Sequence, residues 1–246
     1  MMRFFNCLLS FFLFNISQAA EVHVAVAANF AAPMKYISAK FQQATGHKAA
    51  LSFGATGKFY AQIKNGAPFD ILLAADQSTP TKLAQEQVAI SGSQFTYAIG
   101  QLVLWSAKAN FVDTQGAILK GDAFAHIAIG SPQAPYGMAA MQTVKALNLV
   151  NSLTPKLVQG ESIAQTYSFV ASGNAELGFV ALSQVWKNNK INSGSAWIVP
   201  ENLYTPLRQD AILLKAGEDN QAALALLVFL KSDAAKSIIQ SYGYRI

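Results

Sequence analysis

Cysteine occurs once in the 246 residues, at Cys7, and histidine three times, at His23, His47 and His126. One thiol builds no disulfide framework. The three histidines have no metal-ligand spacing among themselves, and no H-E-x-x-H occurs, so a zinc centre is not expected. Arginine is equally scarce: three of the eighteen basic residues, Arg3, Arg208 and Arg245. Arg is the side chain that reads phosphates and bases in bidentate fashion. A net charge of +5 and a pI near 9.2 without a Lys/Arg cluster therefore do not describe a nucleic-acid binder. Charged residues make up only 13%, against 52% hydrophobic, which excludes a disordered chain. No apolar run is long enough for a good membrane span of about 20 residues. The longest in the body, Ala222 to Leu230, falls well short.

Catalytic signatures are missing too. There is no G-x-S-x-G elbow and no G-x-G-x-x-G after the first strand-like run. Gly54-Ala55-Thr56-Gly57-Lys58 resembles a phosphate loop but has the wrong glycine spacing for a Walker A loop, and Phe59 follows the lysine. Carboxylates are few, and pairs such as Glu218-Asp219 fall in loops. A binding protein fits this better than an enzyme.

What is present begins with an export leader. Met1-Met2-Arg3 is a basic start, Phe4 to Ile16 an interrupted apolar run, and Ser17-Gln18-Ala19 a small-x-small cleavage site. Residues 1–19 are expected to be removed, with a cut after Ala20 as the alternative. Cys7 leaves with them and lies too early for a lipid anchor. The mature protein is expected in the periplasm.

The remainder alternates strand and helix patterns. Strands are expected at 22–27, 48–53, 70–74, 102–106, 126–129, 177–180, 197–199 and 211–214. Helices are expected at 33–44, 58–64, from 78, and at 138–147, 162–170, 182–186, 221–230 and 233–241. Met34, Ile37 and Phe41 fall on one helical face, and Gly46 suits the following left-handed position. Such alternation implies α/β layers with mixed, mainly parallel sheets and helices on both faces.

Four strand-to-helix turns carry the candidate chemistry. They are Ala28-Asn29-Phe30 before Pro33, Gly54-Ala55-Thr56-Gly57, Pro135-Tyr136-Gly137, and Gly160-Glu161-Ser162-Ile163. Small residues let an anion approach the backbone, Asn29 is an N-cap type, and Thr56 adds a hydroxyl. Helix N-termini present unpaired N–H groups and the positive end of a dipole. In α/β sheets such turns lie where ligands bind. Together they could hold a dianion without Lys or Arg.

Several of these stretches, with others in the same order, resemble the periplasmic molybdate-binding proteins of ABC importers, the ModA family. The matching runs are Val24 to Phe30, Thr45-Gly46, Ser52 to Gly57, Gln62 to Asp70 and Ala74-Ala75-Asp76. Then come Phe95 to Gly100, Leu102 to Ser106, Pro135-Tyr136-Gly137 and Leu177 to Leu182. The resemblance covers nearly all of residues 21–246. It implies a two-lobed type II periplasmic-binding-protein fold with hinge crossings, lobe 1 being 20–101 and 208–246 and lobe 2 being 102–207. It implies capture of molybdate, and of tungstate, for delivery to a membrane permease by a monomer without a cofactor or direct metal ligand. Carried over by position, the oxyanion-binding residues are Ala28, Asn29, Thr56, Tyr136 and Ile163. One branch of the family places a tyrosine hydroxyl at the position of Ala181, which this chain lacks. Binding of sulfate or another small oxyanion, a secreted enzyme on the same fold, and an adhesive secreted protein remain the alternatives.

Overall fold

The computed structural model describes residues 19–187 and 189–246. The leader read at 1–19 therefore lies outside the described residues save for Ala19. The first run of elements is β1 (Glu21–Ala27), α1 (Ala31–Thr45), β2 (Lys48–Gly54), α2 (Thr56–Lys64), β3 (Ile71–Leu73), α3 (Ser78–Gln85) and β4 (Phe95–Gly100). One residue, Gln101, separates β4 from β5 (Leu102–Ser106). There follow β6 (Ile127–Gly130), α4 (Pro135–Ala146), α5 (Val150–Leu153), β7 (Leu157–Gly160), α6 (Ile163–Ala171), β8 (Leu177–Ala181) and α7 (Leu182–Val185). A short hairpin, β9 (Trp186–Lys187) and β10 (Lys190–Ile191), leads to β11 (Ser195–Ile198). The chain then returns through β12 (Leu207–Leu213) to α8 (Gln221–Leu230) and α9 (Asp233–Ser241).

Two five-stranded sheets result. One runs β2-β1-β3-β12-β4 and the other β11-β5-β8-β6-β7. β1 is buried from Val24 to Ala27 because helices cover both faces of its sheet, as the unbroken apolar run requires. α1 buries Met34, Ile37 and Phe41 and ends at Gly46, whose φ of 77° is left-handed and whose N–H reaches Gln42 O at 2.9 Å. Asn220 and Ser232 cap α8 and α9 with their side chains. Each sheet has an apolar cluster on either face. Val24, Phe30, Phe41 and Leu226 share one, and Leu72, Phe59 and Leu83 lie opposite. Leu104, Phe179 and Trp197 share a third, and Trp105, Val180 and Leu182 face it. Each fully buried Phe or Leu contributes about 1.5–3 kcal/mol relative to exposure.

The sheets are mixed, but parallel and antiparallel neighbours occur in equal number, so the expectation of mainly parallel sheets needs correcting. Within the two five-stranded sheets the antiparallel pairs all involve β5 or β12, the strands at the two crossings between sheets. A chain that enters and leaves each sheet beside its own crossing must run against its neighbours there. β4, β7 and the hairpin were not among the expected strands.

Candidate anion-binding site

The carboxyl ends of β1, β2, β6 and β7 lead into the four expected turns, and these meet. Between the two sheets lies a cavity of about 30 Å3. On a scale where one water takes roughly 10–15 Å3, that admits an ion of a few heavy atoms. Its lining includes Ala28 and Asn29 from the first turn, Ala55 and Thr56 from the second, Tyr136 and Gly137 from the third, and Ser162 and Ile163 from the fourth. Ala27, Gly54, Ala134 and Pro135 also line it, as do Ala75, after β3, and Gly130, at the end of β6, which were not anticipated. All five residues singled out in the sequence line this one space. None of the lining residues carries a charge.

The donors can be counted turn by turn. In α2 the N–H groups of Lys58 and Phe59 return to Ala55 O at 3.0 and 3.1 Å, so Thr56 and Gly57 hold the N–H groups without a helical acceptor. In α4, Met138 N reaches Ala134 O at 2.8 Å and Pro135 has no N–H, which leaves Tyr136 and Gly137. In α6, Ser162 caps Gln165 N at 3.2 Å and accepts Thr166 N at 3.0 Å, which leaves Ile163 and Ala164. A one-turn 3-10 helix, Ala28–Phe30, heads the remaining turn. No acidic residue occupies the first turn of any of these four helices. Helix N-termini ordinarily favour Asp or Glu there, so the positive ends remain free for an outside anion.

Thr56 is 5% exposed, and its hydroxyl accepts Ala75 N–H at 3.0 Å. With a lone pair so occupied, its proton is free to point at the cavity.

Asn29 departs from expectation. The N-cap of α1 is Phe30, with no side-chain cap bond. The Asn29 carboxamide instead donates to Gln209 Oε1 at 2.8 Å and to the Tyr244 hydroxyl at 3.0 Å. Its backbone carbonyl accepts the Tyr244 hydroxyl at 2.7 Å and Ser183 Oγ at 2.8 Å. Non-local partners have displaced local capping. Both amide hydrogens of Asn29 are thus spent on Gln209 and Tyr244, within a buried polar cluster that includes Tyr97 and Tyr136, so the donor left for the cavity is its main-chain N–H. Burial raises the pKa of all three tyrosines above the ordinary phenol range, so they stay neutral. Ala181 ends β8 and is the N-cap of α7; it is fully buried and does not line the cavity.

Outside this space opens a wider hollow of about 510 Å3, whose rim holds Lys58, Glu161, Asp76 and Arg208. Lys58 Nζ and Glu161 Oε2 stand 2.6 Å apart, joining the α2 turn to the turn before α6 and hence one sheet unit to the other. Lys58 lowers the Glu161 pKa, so the carboxylate of this exposed pair is ionised at neutral pH.

The sequence pattern of the bacterial extracellular solute-binding proteins matches residues 22–245. The molybdate-binding protein ModA of Azotobacter vinelandii is 58% identical over 229 residues, which cover 93% of this chain and 91% of that protein. ModA of Rhodobacter capsulatus is 52% identical, with 92% and 88% covered. The solved structure of the Azotobacter vinelandii periplasmic molybdate-binding protein superposes with a TM-score of 0.89 at 41% identity, covering 92% of this chain and 99% of that one. The family match and these identities place the chain in the ModA family of solute-binding proteins, a class that binds its ligand rather than transforming it.

Proposed function

We propose that this protein captures molybdate, and tungstate as well, in the cavity between its lobes and hands it to an ABC importer. The observation that carries the reading is a small, uncharged cavity ringed by four helix N-termini. The names of its ModA relatives supply the ligand. Lobe 1 comprises 20–101 and 208–246, and lobe 2 comprises 102–207. The anion is held by main-chain N–H groups at Ala28, Asn29, Tyr136 and Ile163 and by the Thr56 hydroxyl. No cofactor takes part, and the metal arrives only inside the oxyanion.

The magnitudes are adequate. Micromolar to nanomolar binding corresponds to about −8 to −12 kcal/mol. Hydrogen bonds to a charged group contribute roughly 1.5–3 kcal/mol each, so about five to seven donors suffice after the losses of association. Donors alone do not distinguish tetrahedral dianions. Size does: molybdate and tungstate are nearly equal and larger than sulfate, so a cavity held at the larger radius leaves sulfate with long bonds. The protein acts as a monomer, exported through its leader into the periplasm, and its closed form is what the permease recognises.

A thermal-shift titration of the leader-free protein with molybdate, tungstate, sulfate and phosphate tests the reading. Molybdate and tungstate at 100 times their Kd are expected to stabilise the fold by about 2.7 kcal/mol, several degrees in Tm. Equal shifts with sulfate would move the assignment to a general oxyanion binder. No shift with any anion would reduce the four turns to ordinary caps. Within the same assay, Thr56→Val is expected to weaken molybdate by about 1.5–3 kcal/mol, one charge-assisted bond. Calorimetry that finds unchanged affinity would leave Thr56 as a brace for Ala75 alone.

A further inference from the structure

We propose that Gln209 is a positioning residue that locks the two halves of the cavity at one spacing and so sets which oxyanion fits; this rests on the oxyanion reading above. Gln209 lies on β12, a crossing strand, and is fully buried. Its Nε2 donates to the Tyr136 hydroxyl at 3.1 Å. Its Oε1 accepts the Asn29 carboxamide at 2.8 Å and the Tyr97 hydroxyl at 3.2 Å. Asn29 heads the first sheet's turn and Tyr136 the second sheet's helix α4, and both line the cavity. One carboxamide thus bridges the opposing walls from beneath.

Two features of the backbone serve this placement. The pairing of β12 with β4 shifts register between Gln209 and Asp210, a bulge that re-aims a side chain. Two residues along the same ladder, Gly100 pairs with Leu207, and a Cβ there would collide with the Tyr136 hydroxyl and lie 2.6 Å from Gln209 Nε2. The slot exists only because that residue is glycine. A buried carboxamide left without partners is strongly unfavourable, so its bonds are satisfied together only at the closed spacing. The Asn29 and Tyr136 turns are thereby held apart at a fixed width, and with them the radius of the anion accepted.

The test uses Gln209→Glu in the leader-free protein, with calorimetric affinities for molybdate and sulfate at about pH 6 and about pH 8. A protonated carboxyl can still donate toward Tyr136, whereas an ionised one cannot and adds a charge beneath the dianion. The titratable groups around the position are the hydroxyls of Tyr97, Tyr136 and Tyr244, all held neutral by burial. The neighbouring Asp210 is bonded to Thr96, Gln94 and Gln77. The expected result is a molybdate Kd at least about tenfold weaker at the higher pH than at the lower, a smaller molybdate-to-sulfate ratio, and a flat parent protein. A folded variant with parental affinity and ratio at both pH values would overturn the proposal while leaving the oxyanion reading intact. A parent protein that binds neither anion overturns both. Should Gln209→Glu fail to fold, Tyr136→Phe removes only the hydroxyl that Gln209 grips and keeps the main-chain donor. That variant is expected to lose molybdate-over-sulfate preference, and an unchanged ratio would likewise overturn the proposal.

Discussion

Gly137→Ala is expected to weaken molybdate by about 3–6 kcal/mol, the equivalent of two charge-assisted bonds and at least a hundredfold in Kd. Gly137 lies in the first turn of α4 and is buried. A Cβ there would collide with the carbonyl oxygens of Ser131 and Gly130. These are backbone atoms at the end of β6 and just beyond it, so they cannot rotate aside. The N-terminus of α4 must retreat, and the N–H groups of Tyr136 and Gly137 retreat with it. Gly130 meets the same helix from the other side, its built Cβ 3.4 Å from Gly137 N, so the pair forms a close contact between strand and helix.

The control is Gly57→Ala. Gly57 is in the first turn of α2 and has open space around a Cβ. At a helical position alanine restricts the unfolded chain and stabilises by about 0.4–1 kcal/mol. Calorimetry and melting on the two variants separate geometry from mere loss of glycine. A folded Gly137→Ala protein with parental affinity would remove the Tyr136 turn from the site.

The elements that could be read in advance are those specified locally. The bounds of α8 follow from an apolar run headed by Asn220 and those of α9 from an amphipathic pattern headed by Ser232, caps that act within three residues. β5 is a short apolar run between polar neighbours and was equally plain. β7, by contrast, is a half-exposed edge of Leu157-Val158-Gln159-Gly160, too short and too polar to stand out. Strand direction was misjudged because it depends on partners far along the chain, such as β12 beside β3 and β4. The same division holds in the site. Turns rich in Gly and Ala after strands mark where an anion can approach a backbone, and a sequence displays them. The bonding of Asn29 was hidden because Gln209 and Tyr244 lie 180 and 215 residues away. Nothing local distinguishes Gln209 from any other polar residue on a strand.

Ala28→Asp is expected to abolish oxyanion binding while Ala28→Asn retains most of it. Ala28 begins the one-turn helix on the cavity wall, where every other lining residue is uncharged. A carboxylate about 5 Å from a dianion, at an effective dielectric of about 20, is repelled by about 7 kcal/mol. That approaches the whole free energy of a micromolar site, about −8 kcal/mol. The asparagine variant has nearly the same shape without the charge, so the difference between the two isolates electrostatics from crowding. Both are to be compared by calorimetry with molybdate after melting curves establish that each is folded. If the two variants bind alike, the anion does not sit beside Ala28, and the first turn supports the wall without contributing a donor. If only the aspartate variant is silent, neutrality of the wall is itself a binding determinant. The chain then holds a double negative charge by dipoles alone, which explains how a site can work with no arginine, lysine or histidine lining it.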